Sequence, residues 1–388
     1  MQMSSEITIV GGGLAGLVAA IACAEAGARV TLHEAHGTLG GRGRASEAPY
    51  VAHEGPHVFY ADGPHWEWLA ERGLTGPLGR PKARDAVRLG FVRGGRMRRL
   101  PPAGFIRMTM LDRGRKAPVD QDFFSWASRT HGEEVARRAA NAISVVTFDA
   151  DTGRLSAAFV WEQLRRVFAP GPPAVRWVIG GWQAVVSRLE ARAREMGVRV
   201  ELNSRVTELP NGPVIVATEL SSARVLLGDP SLTWESGNCA MLDLAVRPDP
   251  RDRFICFDLD SGGFHESYSM QDPTVVPRGE TLFQVAMPVR QGESRKQAGD
   301  RLEAFTDLTV PGWRERTTWR RSGFAKGRSG ALDLPGLTWR DRPAIERGDG
   351  VYLVGDMVAA PGMRGEISVN SAVQAAKKAL RSVSGAAL

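Results

Sequence analysis

Three glycines and one acidic residue near the start of the chain have the spacing of a phosphate-binding loop. Gly11, Gly13 and Gly16 form a G-x-G-x-x-G pattern directly after the apolar run 7–10, and Glu34 follows about 20 residues later. Gly11 would permit a tight turn, Gly13 would let the backbone approach a pyrophosphate, and Gly16 would let a helix pack closely on a strand. The pattern predicts that the chain binds a dinucleotide, with Glu34 accepting a hydrogen bond from a ribose hydroxyl.

A βαβ unit must position these residues. The sequence predicts an Ala/Leu-rich helix at 14–26 between two short strands. This helix would begin at Leu14 and Ala15, so that its free N–H groups and the positive end of its dipole point at the phosphates. Ala35, which follows Glu34 at the end of the second strand, would also contact the nucleotide.

A second group of residues that could hold a ligand follows an apolar run near the end of the chain. Gly355 and Asp356 end this run, at the edge where ligands bind in open α/β sheets. Asp356 could accept hydrogen bonds from hydroxyl groups or hold a water on a pyrophosphate. A helix is predicted to follow, and its N-terminal backbone at Gly365, Glu366 and Ile367 could stabilise negative charge.

Three further segments, taken with these motifs, resemble a known family. Residues 39–44 read LGGRGR, residues 53–59 read HEGPHVF, and residues 203–206 read NSRV. In their content and order the motifs resemble those of the FAD-dependent amine oxidase and phytoene desaturase-like flavoprotein superfamily.

The resemblance implies FAD as the cofactor and assigns contacts to particular residues. Arg42, next to Gly41, would contact the FAD phosphates, and Val206 would contact the adenine through its backbone. Asp356 and the start of the last helix would contact FAD as well. The turn that would approach the flavin consists of Gly55, Pro56 and His57.

The expected fold is α/β, with a discontinuous Rossmann-like FAD-binding domain of the GR2 type. This domain would comprise residues 1–78, 174–236 and 342–388. A second, α+β substrate domain, built from the insertions 79–173 and 237–341, would contain an antiparallel sheet plus helices. Local patterns predict a hairpin centred on Gly94-Gly95, a loop at 101–107, a strand at 205–209 and a helix starting with Asp120 at 120–130.

The resemblance implies that the protein is an enzyme that dehydrogenates a C–C or C–N bond of a small hydrophobic biosynthetic intermediate, by hydride transfer to flavin N5. The electrons would pass to O2 or a quinone-like acceptor, because the sequence contains neither a second G-x-G-x-x-G nor a C-x-x-C pair. Lys326 is the only lysine in a plausible loop, which disfavours the amine-oxidase branch. Two alternatives stay open: a redox-neutral flavin-dependent isomerase or cyclase, and a non-catalytic binding protein similar to the Rab escort and GDP-dissociation-inhibitor proteins.

His57 and Arg364 are the polar residues expected nearest the flavin ring, and we assign them as catalytic candidates. His57 could act as an acid or base, since an imidazole titrates near neutrality. Arg364 could offset the negative charge of a reduced flavin or bind a substrate carboxylate. The alternatives are a hydrogen-bonded turn residue for His57 and a surface residue for Arg364.

Composition narrows the class of protein. The chain has 388 residues, is 43% hydrophobic and 24% charged, and carries a net charge of +7, which is typical of a globular protein with two domains. Three scattered cysteines and seven histidines without metal-ligand spacing predict no metal site. No nucleic-acid-binding motif accompanies the basic charge. The polar lead-in MQMSSE argues against a signal peptide, so we expect a cytoplasmic protein. The apolar residues at 101–110, within a basic stretch, could contact a membrane surface.

Overall fold

The computed structural model describes residues 6–55, 57–170 and 173–385, so that Pro56, a predicted cofactor contact, lies outside the described residues. Three sheets organise this part of the chain. The strands are β1 (Glu6–Val10), β2 (Arg29–His33), β3 (Phe59–Tyr60), β4 (Leu78–Gly79), β5 (Leu89–Arg93), β6 (Arg96–Arg98), β7 (Val175–Val178), β8 (Arg199–Glu201), β9 (Val214–Val216), β10 (Ser236–Val246), β11 (Ile255–Asp258), β12 (Phe264–Glu266), β13 (Thr281–Pro288), β14 (Thr317–Ala331), β15 (Glu346–Gly348) and β16 (Val351–Leu353).

Helices pack between and around these sheets. They are α1 (Leu14–Glu25), α2 (Pro64–Glu71), α3 (Ala103–Ile106), α4 (Phe123–His131), α5 (Glu133–Thr147), α6 (Ala157–Val167), α7 (Gly181–Glu195), α8 (Leu220–Leu226), α9 (Arg295–Thr309), α10 (Trp313–Arg316) and α11 (Gly365–Gly385).

The first sheet has six strands in the order β15-β16-β9-β1-β2-β8, and all neighbours except the edge strand β15 run parallel. Its central strands β9 and β1 are short, and all their residues except Glu6 are buried, as expected for strands covered on both faces. Helix α1 packs against α7 and α11. Gly11, Thr218 and Gly355 follow the carboxyl ends of β1, β9 and β16, so the two predicted motifs meet at one edge of the sheet. The predicted Rossmann-like fold is confirmed.

The second sheet has seven strands in the order β14-β10-β13-β12-β11-β5-β6, and only β11 and β5 run parallel. Gly94 and Gly95, both with positive φ, connect β5 to β6 as the predicted hairpin. Helices α3 to α6 pack together in one apolar cluster, which also includes Phe91, Leu259 and Leu332. Strands from both predicted insertions thus share one sheet, which supports the proposed division into two domains; the division itself stays a proposal.

Three local predictions are wrong. Residues 101–107 form no simple loop: α3 is followed by a π-helical turn at Arg107–Leu111, because Phe105 and Met108 recur at helical spacing and are buried. Residues 205–209 form no strand, since the chain leaves the sheet after β8. Helix α4 begins after Asp122 rather than Asp120, because the Asp122 carboxylate accepts a hydrogen bond from the N–H of Ser125 at 2.8 Å.

Within the described ranges, no helix has the length and apolar character needed to cross a membrane. No cluster of histidine, cysteine, aspartate or glutamate in these ranges could hold a metal ion. Cys23, Cys239 and Cys256 are buried and free.

A buried histidine in β12 makes stability sensitive to acid. His265 packs beside Phe283 and Phe305, with ring centroids 5.2 and 6.3 Å away, and neither ring nitrogen has a hydrogen-bond partner in the described part of the chain. Burial lowers its pKa to about 3. The unfolded chain, with a histidine pKa of about 6.5, therefore binds a proton that the folded state does not, and stability is lost as the pH falls through this window.

We expect His265→Phe to raise the free energy of unfolding by about 2 kcal/mol more at pH 5 than at pH 8, because the phenyl ring has no proton to bind. Urea denaturation at the two pH values measures this difference, with pH 8 as the internal control. An equal effect at both values would contradict a neutral buried His265.

Candidate active site

One large cavity of about 1370 Å³ begins at the carboxyl edge of the first sheet and extends to the second sheet. Most of the predicted site residues line it: Gly11, Gly13, Leu14, Ala15, Glu34, Ala35, Gly41, Arg42, His57, Val206, Gly355, Asp356, Arg364, Gly365 and Glu366. Gly16, Gly55 and Ile367 do not line it. Residues that are far apart in the sequence therefore share one site.

The three glycines of the loop have different roles. Gly11 has a φ of +107°, and a Cβ there would lie 2.7 Å from the carbonyl oxygen of Ala217. A Cβ on Gly16 would lie 1.9 Å from the carbonyl oxygen of Gly11. A Cβ on Gly13 would meet no atom within 4 Å and would stand on the cavity wall. Gly11 and Gly16 are thus required by the fold, whereas Gly13 leaves space for a ligand.

Glu34 is held in place at the end of β2. Its Oε2 accepts a hydrogen bond from the N–H of Gly12 at 2.8 Å, and its Oε1 accepts from the N–H of His36 at 2.9 Å. The ring Nδ1 of His36 lies 2.8 Å from the same Oε1. A carboxylate has lone pairs for further bonds, so Glu34 can still accept from a ribose hydroxyl in the cavity.

Arg42 joins the two motifs from opposite ends of the chain. Its Nη1 and Nη2 donate to the two carboxylate oxygens of Asp356 at 2.7 and 2.8 Å, and Nη1 also donates to the carbonyl oxygen of Arg328 at 2.5 Å. The Asp356 carboxylate raises the pKa of Arg42, which stays charged. This bidentate pair places a fixed positive charge beside the glycine loop.

Val206 lies in the irregular segment after β8, on the cavity wall. Neither its backbone N–H nor its carbonyl oxygen has a hydrogen-bond partner among the described residues. Both groups are therefore available to a ligand, as the predicted adenine contact requires.

His57 is half-buried and its Nδ1 lies 2.6 Å from the carbonyl oxygen of Gly55. A carbonyl only accepts, so Nδ1 carries the proton and Nε2 of the neutral ring is unprotonated. Burial lowers the His57 pKa to about 4, and the charges of Arg364 and Arg42 act in the same direction. The expectation that this imidazole titrates near neutrality is therefore wrong, and the ring is neutral at pH 7.

A buried polar network, which the sequence patterns did not reveal, holds the turn before His57. The Gln284 amide donates to the carbonyl oxygens of His53 and Gly55, each at 2.9 Å. Arg321 donates to the His53 carbonyl at 2.7 Å and pairs with Asp243 at 2.7 Å. Gln284 and Arg321 lie at least 229 residues from the carbonyl groups they contact, so no local pattern could indicate these hydrogen bonds. These hydrogen bonds hold the turn in place, including the Gly55 carbonyl group that orients His57.

Arg364 adopts a left-handed backbone conformation, with a φ of +52°, directly before α11. Its Nε donates to the carbonyl oxygen of Val146 at 2.7 Å, and its guanidinium lies 4.0 Å from the ring centroid of Phe148. Its Nη2 is buried without a partner in the described chain. Burial lowers the Arg364 pKa to about 10, so the group stays charged at pH 7. A strained, charged residue with an unused N–H group suits the recognition of an anion.

Fewer backbone N–H groups at the start of α11 are available to a ligand than predicted. The N–H groups of Glu366 and Ile367 donate to the carbonyl oxygens of Met363 and Arg364, each at 3.0 Å. The Glu366 carboxylate accepts from Arg166 at 2.8 Å. Only the N–H of Gly365, among these three described residues, has no partner. A ligand contact by this backbone therefore falls to Gly365.

The inner end of the cavity, here called the chamber, is aromatic. Phe257 lies 5.8, 5.1 and 5.1 Å from Phe91, Phe168 and Phe264 (ring centroids). Lys326 does not line the large cavity but is exposed on β14. The carboxyl group of Glu266, which the sequence analysis did not identify, lies in the wall of the chamber. The chamber consists of Phe91, Phe168, Trp177, Phe254, Phe257, Phe264 and Glu266.

A parallel Rossmann-like sheet and a second, largely antiparallel sheet contribute residues to one cavity. Comparison with known proteins agrees. Residues 9–72 match the family described as NAD(P)-binding Rossmann-like domain. No curated protein sequence matches the chain significantly.

Solved structures match almost the whole chain. An oxidoreductase from Methanosarcina mazei has a TM-score of 0.77 at 17% identity, covering 95% of this chain and 99% of that one. Cyclohexylamine oxidase from Brevibacterium oxydans has a TM-score of 0.70 at 16% identity, covering 98% and 100%. A reduced UDP-galactopyranose mutase has a TM-score of 0.70 at 14% identity, covering 97% and 96%. The chain therefore shares its fold with these enzymes over almost its whole length, as the resemblance seen in the motifs implies.

Proposed function

We propose that the protein is an FAD-dependent oxidoreductase that dehydrogenates a C–C or C–N bond of a small hydrophobic molecule. The observation that carries this proposal is the single cavity that contains both the glycine loop and the aromatic chamber. Its volume of about 1370 Å³ exceeds the ~300–1,000 Å³ of an ordinary small-molecule site. A substrate can therefore lie beside a dinucleotide.

The residues in the cavity fit FAD. Gly13 leaves open space on the wall, and the backbone of Val206, the N–H of Gly365 and the Nη2 of Arg364 have no protein partners in the described chain. The Nη2 of Arg364 is buried, and unmet polar groups are rare in protein interiors and call for a partner. Bound FAD would supply the two-electron acceptor for a hydride, and O2 or a quinone-like acceptor would reoxidise it.

The protein's own groups bind and orient the substrate. The aromatic chamber excludes water and holds an apolar molecule. His57, neutral and with its Nε2 unprotonated, can accept a hydrogen bond or a proton from the substrate. The Arg364 guanidinium can hold negative charge that develops at the inner end of the nucleotide site.

An absorption spectrum of the purified protein, before and after heat release of any chromophore, tests the cofactor. We expect flavin bands and released FAD, either as purified or after FAD is added. A colourless protein that takes up no FAD would overturn the proposal and support a non-catalytic binding protein.

We expect His57→Ala and Arg364→Ala to retain FAD but to lower turnover by about 10²-fold or more, as expected for the loss of one positioned proton-transfer or charge-stabilising group. Anaerobic bleaching of the flavin by a substrate found in a screen measures the loss. Lys326→Ala is the control, since its side chain lies outside the cavity, and should turn over normally. Normal turnover of both test variants would show that these residues are not catalytic.

A redox-neutral isomerase or mutase is the second candidate, because the reduced UDP-galactopyranose mutase has the same fold over nearly the full chain. A product of unchanged mass, formed only when the flavin is reduced beforehand, would identify this activity. A product lighter by two hydrogen atoms would identify the dehydrogenase.

A further inference from the structure

Exposed apolar side chains are concentrated in one short stretch of the chain. Of the eight large apolar residues that are exposed in the described chain, five lie within residues 87–111. Single exposed apolar residues are ordinary on a protein surface, whereas a group of them marks a site of interaction. These five residues, here called the apolar patch, are Val87, Leu100, Ile106, Met110 and Leu111.

The apolar patch is continuous across a hairpin and a helix. In the hairpin of β5 and β6, Phe91 lies opposite Arg98, so Val87 and Leu100 lie together at its open end. Helix α3 begins three residues after Leu100, and α3 with its π-helical turn carries the other three residues of the patch. One short connection therefore links all five into one part of the surface.

The helical part of the apolar patch has a buried face and an exposed face. Phe105 and Met108 are buried, and the Phe105 ring packs edge-on against Phe168 of the chamber, with ring centroids 4.9 Å apart. Ile106 and Met110, four residues apart and so on one side of the helix, are exposed. The buried face fixes the helix against the chamber wall, and the exposed face is directed away from the protein.

The same stretch is strongly basic. Residues 87–116 contain nine arginine and lysine residues and a single acid, Asp112, whereas the whole chain has a net charge of +7. The rest of the chain is therefore close to neutral. Among the exposed cations, only Arg107 forms an ion pair within the described part of the chain, with Asp112 at 3.6 Å. The exposed cations are Arg88, Arg96, Arg98, Arg99, Arg107, Arg115 and Lys116.

An apolar surface surrounded by unpaired cations is complementary to an anionic lipid bilayer. Aliphatic side chains enter the acyl region, while cations remain at the level of the lipid phosphates. Arginine and lysine suit this position because their stems are apolar and their heads are charged. A nucleic acid would pair with the cations but leave the aliphatic side chains in water, and the apolar patch has no aromatic ring on which a base could stack.

We propose that residues 87–116 form a docking surface for an anionic lipid bilayer, with the apolar patch inserted and the exposed cations on the lipid headgroups. Docking goes beyond the proposed oxidation and does not rest on it. Through the contact of Phe105 with Phe168, it places the wall of the chamber beside the bilayer, where apolar molecules accumulate.

Flotation of the full chain with lipid vesicles tests the docking surface. The probes are vesicles of phosphatidylcholine alone and vesicles of equal parts phosphatidylcholine and phosphatidylglycerol. We expect the protein to float with the anionic vesicles only. The bound fraction should fall as the salt concentration rises, because salt screens the attraction between the cations and the lipid phosphates.

Two serine variants test the apolar patch. Ile106 is 40% exposed, and Leu308 on α9, outside the patch, is 42% exposed. We expect Ile106→Ser to weaken partitioning onto anionic vesicles about tenfold, as expected for the loss of one buried aliphatic side chain. Leu308→Ser should bind as the wild type does.

Two double variants test the charge. Arg98→Gln with Arg99→Gln removes two exposed cations beside the apolar patch, and Lys377→Gln with Arg381→Gln removes two from exposed positions on α11. The net charge falls equally in both. We expect the first pair to weaken binding about tenfold or more and the second pair to have little effect, because only cations at the bilayer surface contribute strongly.

Three results would overturn the docking surface: no binding to anionic vesicles, equal binding to neutral and anionic vesicles, or equal losses in the test and control variants. All substituted side chains are exposed, and thermal unfolding shows whether each variant keeps its fold. Retention of the protein by polyuridine RNA but not by vesicles would assign the surface to nucleic acid and overturn the proposal as well.

Discussion

Alanine at Gly16 is expected to destabilise the protein by about 3 kcal/mol, the upper end of the usual range for overpacking. The new Cβ would lie 1.9 Å from the carbonyl oxygen of Gly11 and 3.0 Å from its carbonyl carbon. Both are backbone atoms of the turn after β1, which cannot rotate away as a side chain would. Helix α1 must therefore shift away from this turn, which lowers the stability of the protein. Urea denaturation measures the resulting decrease in the free energy of unfolding.

Alanine at Gly13 is the matched control, with the same added methyl group three residues earlier. No protein atom lies within 4 Å of the new Cβ, so stability should change by less than about 0.5 kcal/mol. The methyl group stands on the cavity wall, and the Kd for FAD should rise by about tenfold to 100-fold. Fluorescence titration with FAD measures this rise. Unchanged FAD affinity in Gly13→Ala would contradict a nucleotide site over this loop.

Local patterns were enough to predict the parts of the fold that local interactions determine. The glycine loop, helix α1 and the hairpin at Gly94-Gly95 depend on backbone conformations that only glycine adopts easily, or on apolar runs with a clear period. The strand predicted at 205–209 was wrong. Alternating apolar and polar residues indicate a tendency to form a strand, but they cannot provide the neighbouring strand with which it must pair. The backbone of Val206, left unpaired, faces the cavity instead.

Much of the site could not be predicted, because it depends on contacts between distant residues. Nothing in the sequence near Glu266 shows that β12 turns its carboxyl group into an aromatic chamber. The amide of Gln284 reaches Gly55 across 229 positions. The pKa of His57 depends on burial, which arises only when both sheets close around the cavity. Side-chain type alone suggested a histidine that titrates near neutrality, and tertiary structure reversed that expectation.

Arg42→Ala should lower the free energy of unfolding by about 3 kcal/mol and weaken FAD binding. The change leaves the Asp356 carboxylate, which is 9% exposed, without its two guanidinium donors. Removing one partner of a buried ion pair costs about 3–5 kcal/mol, and the lower end applies because the Arg42 side chain is 37% exposed. Urea denaturation and titration with FAD measure the two effects. Arg42→Lys should recover only part of each, since an ammonium cannot form both bonds.

A second buried pair separates loss of stability from loss of the site. Arg342 and Asp333 form a bidentate pair at 2.8 and 2.9 Å, with side chains 2% and 4% exposed, and neither lines the large cavity. Arg342→Ala should therefore destabilise the protein at least as much as Arg42→Ala but leave the Kd for FAD unchanged. If both variants lost FAD equally, the loss of FAD in Arg42→Ala would follow from its lower stability alone. If only Arg42→Ala loses FAD, the bond between the two ends of the chain belongs to the nucleotide site itself.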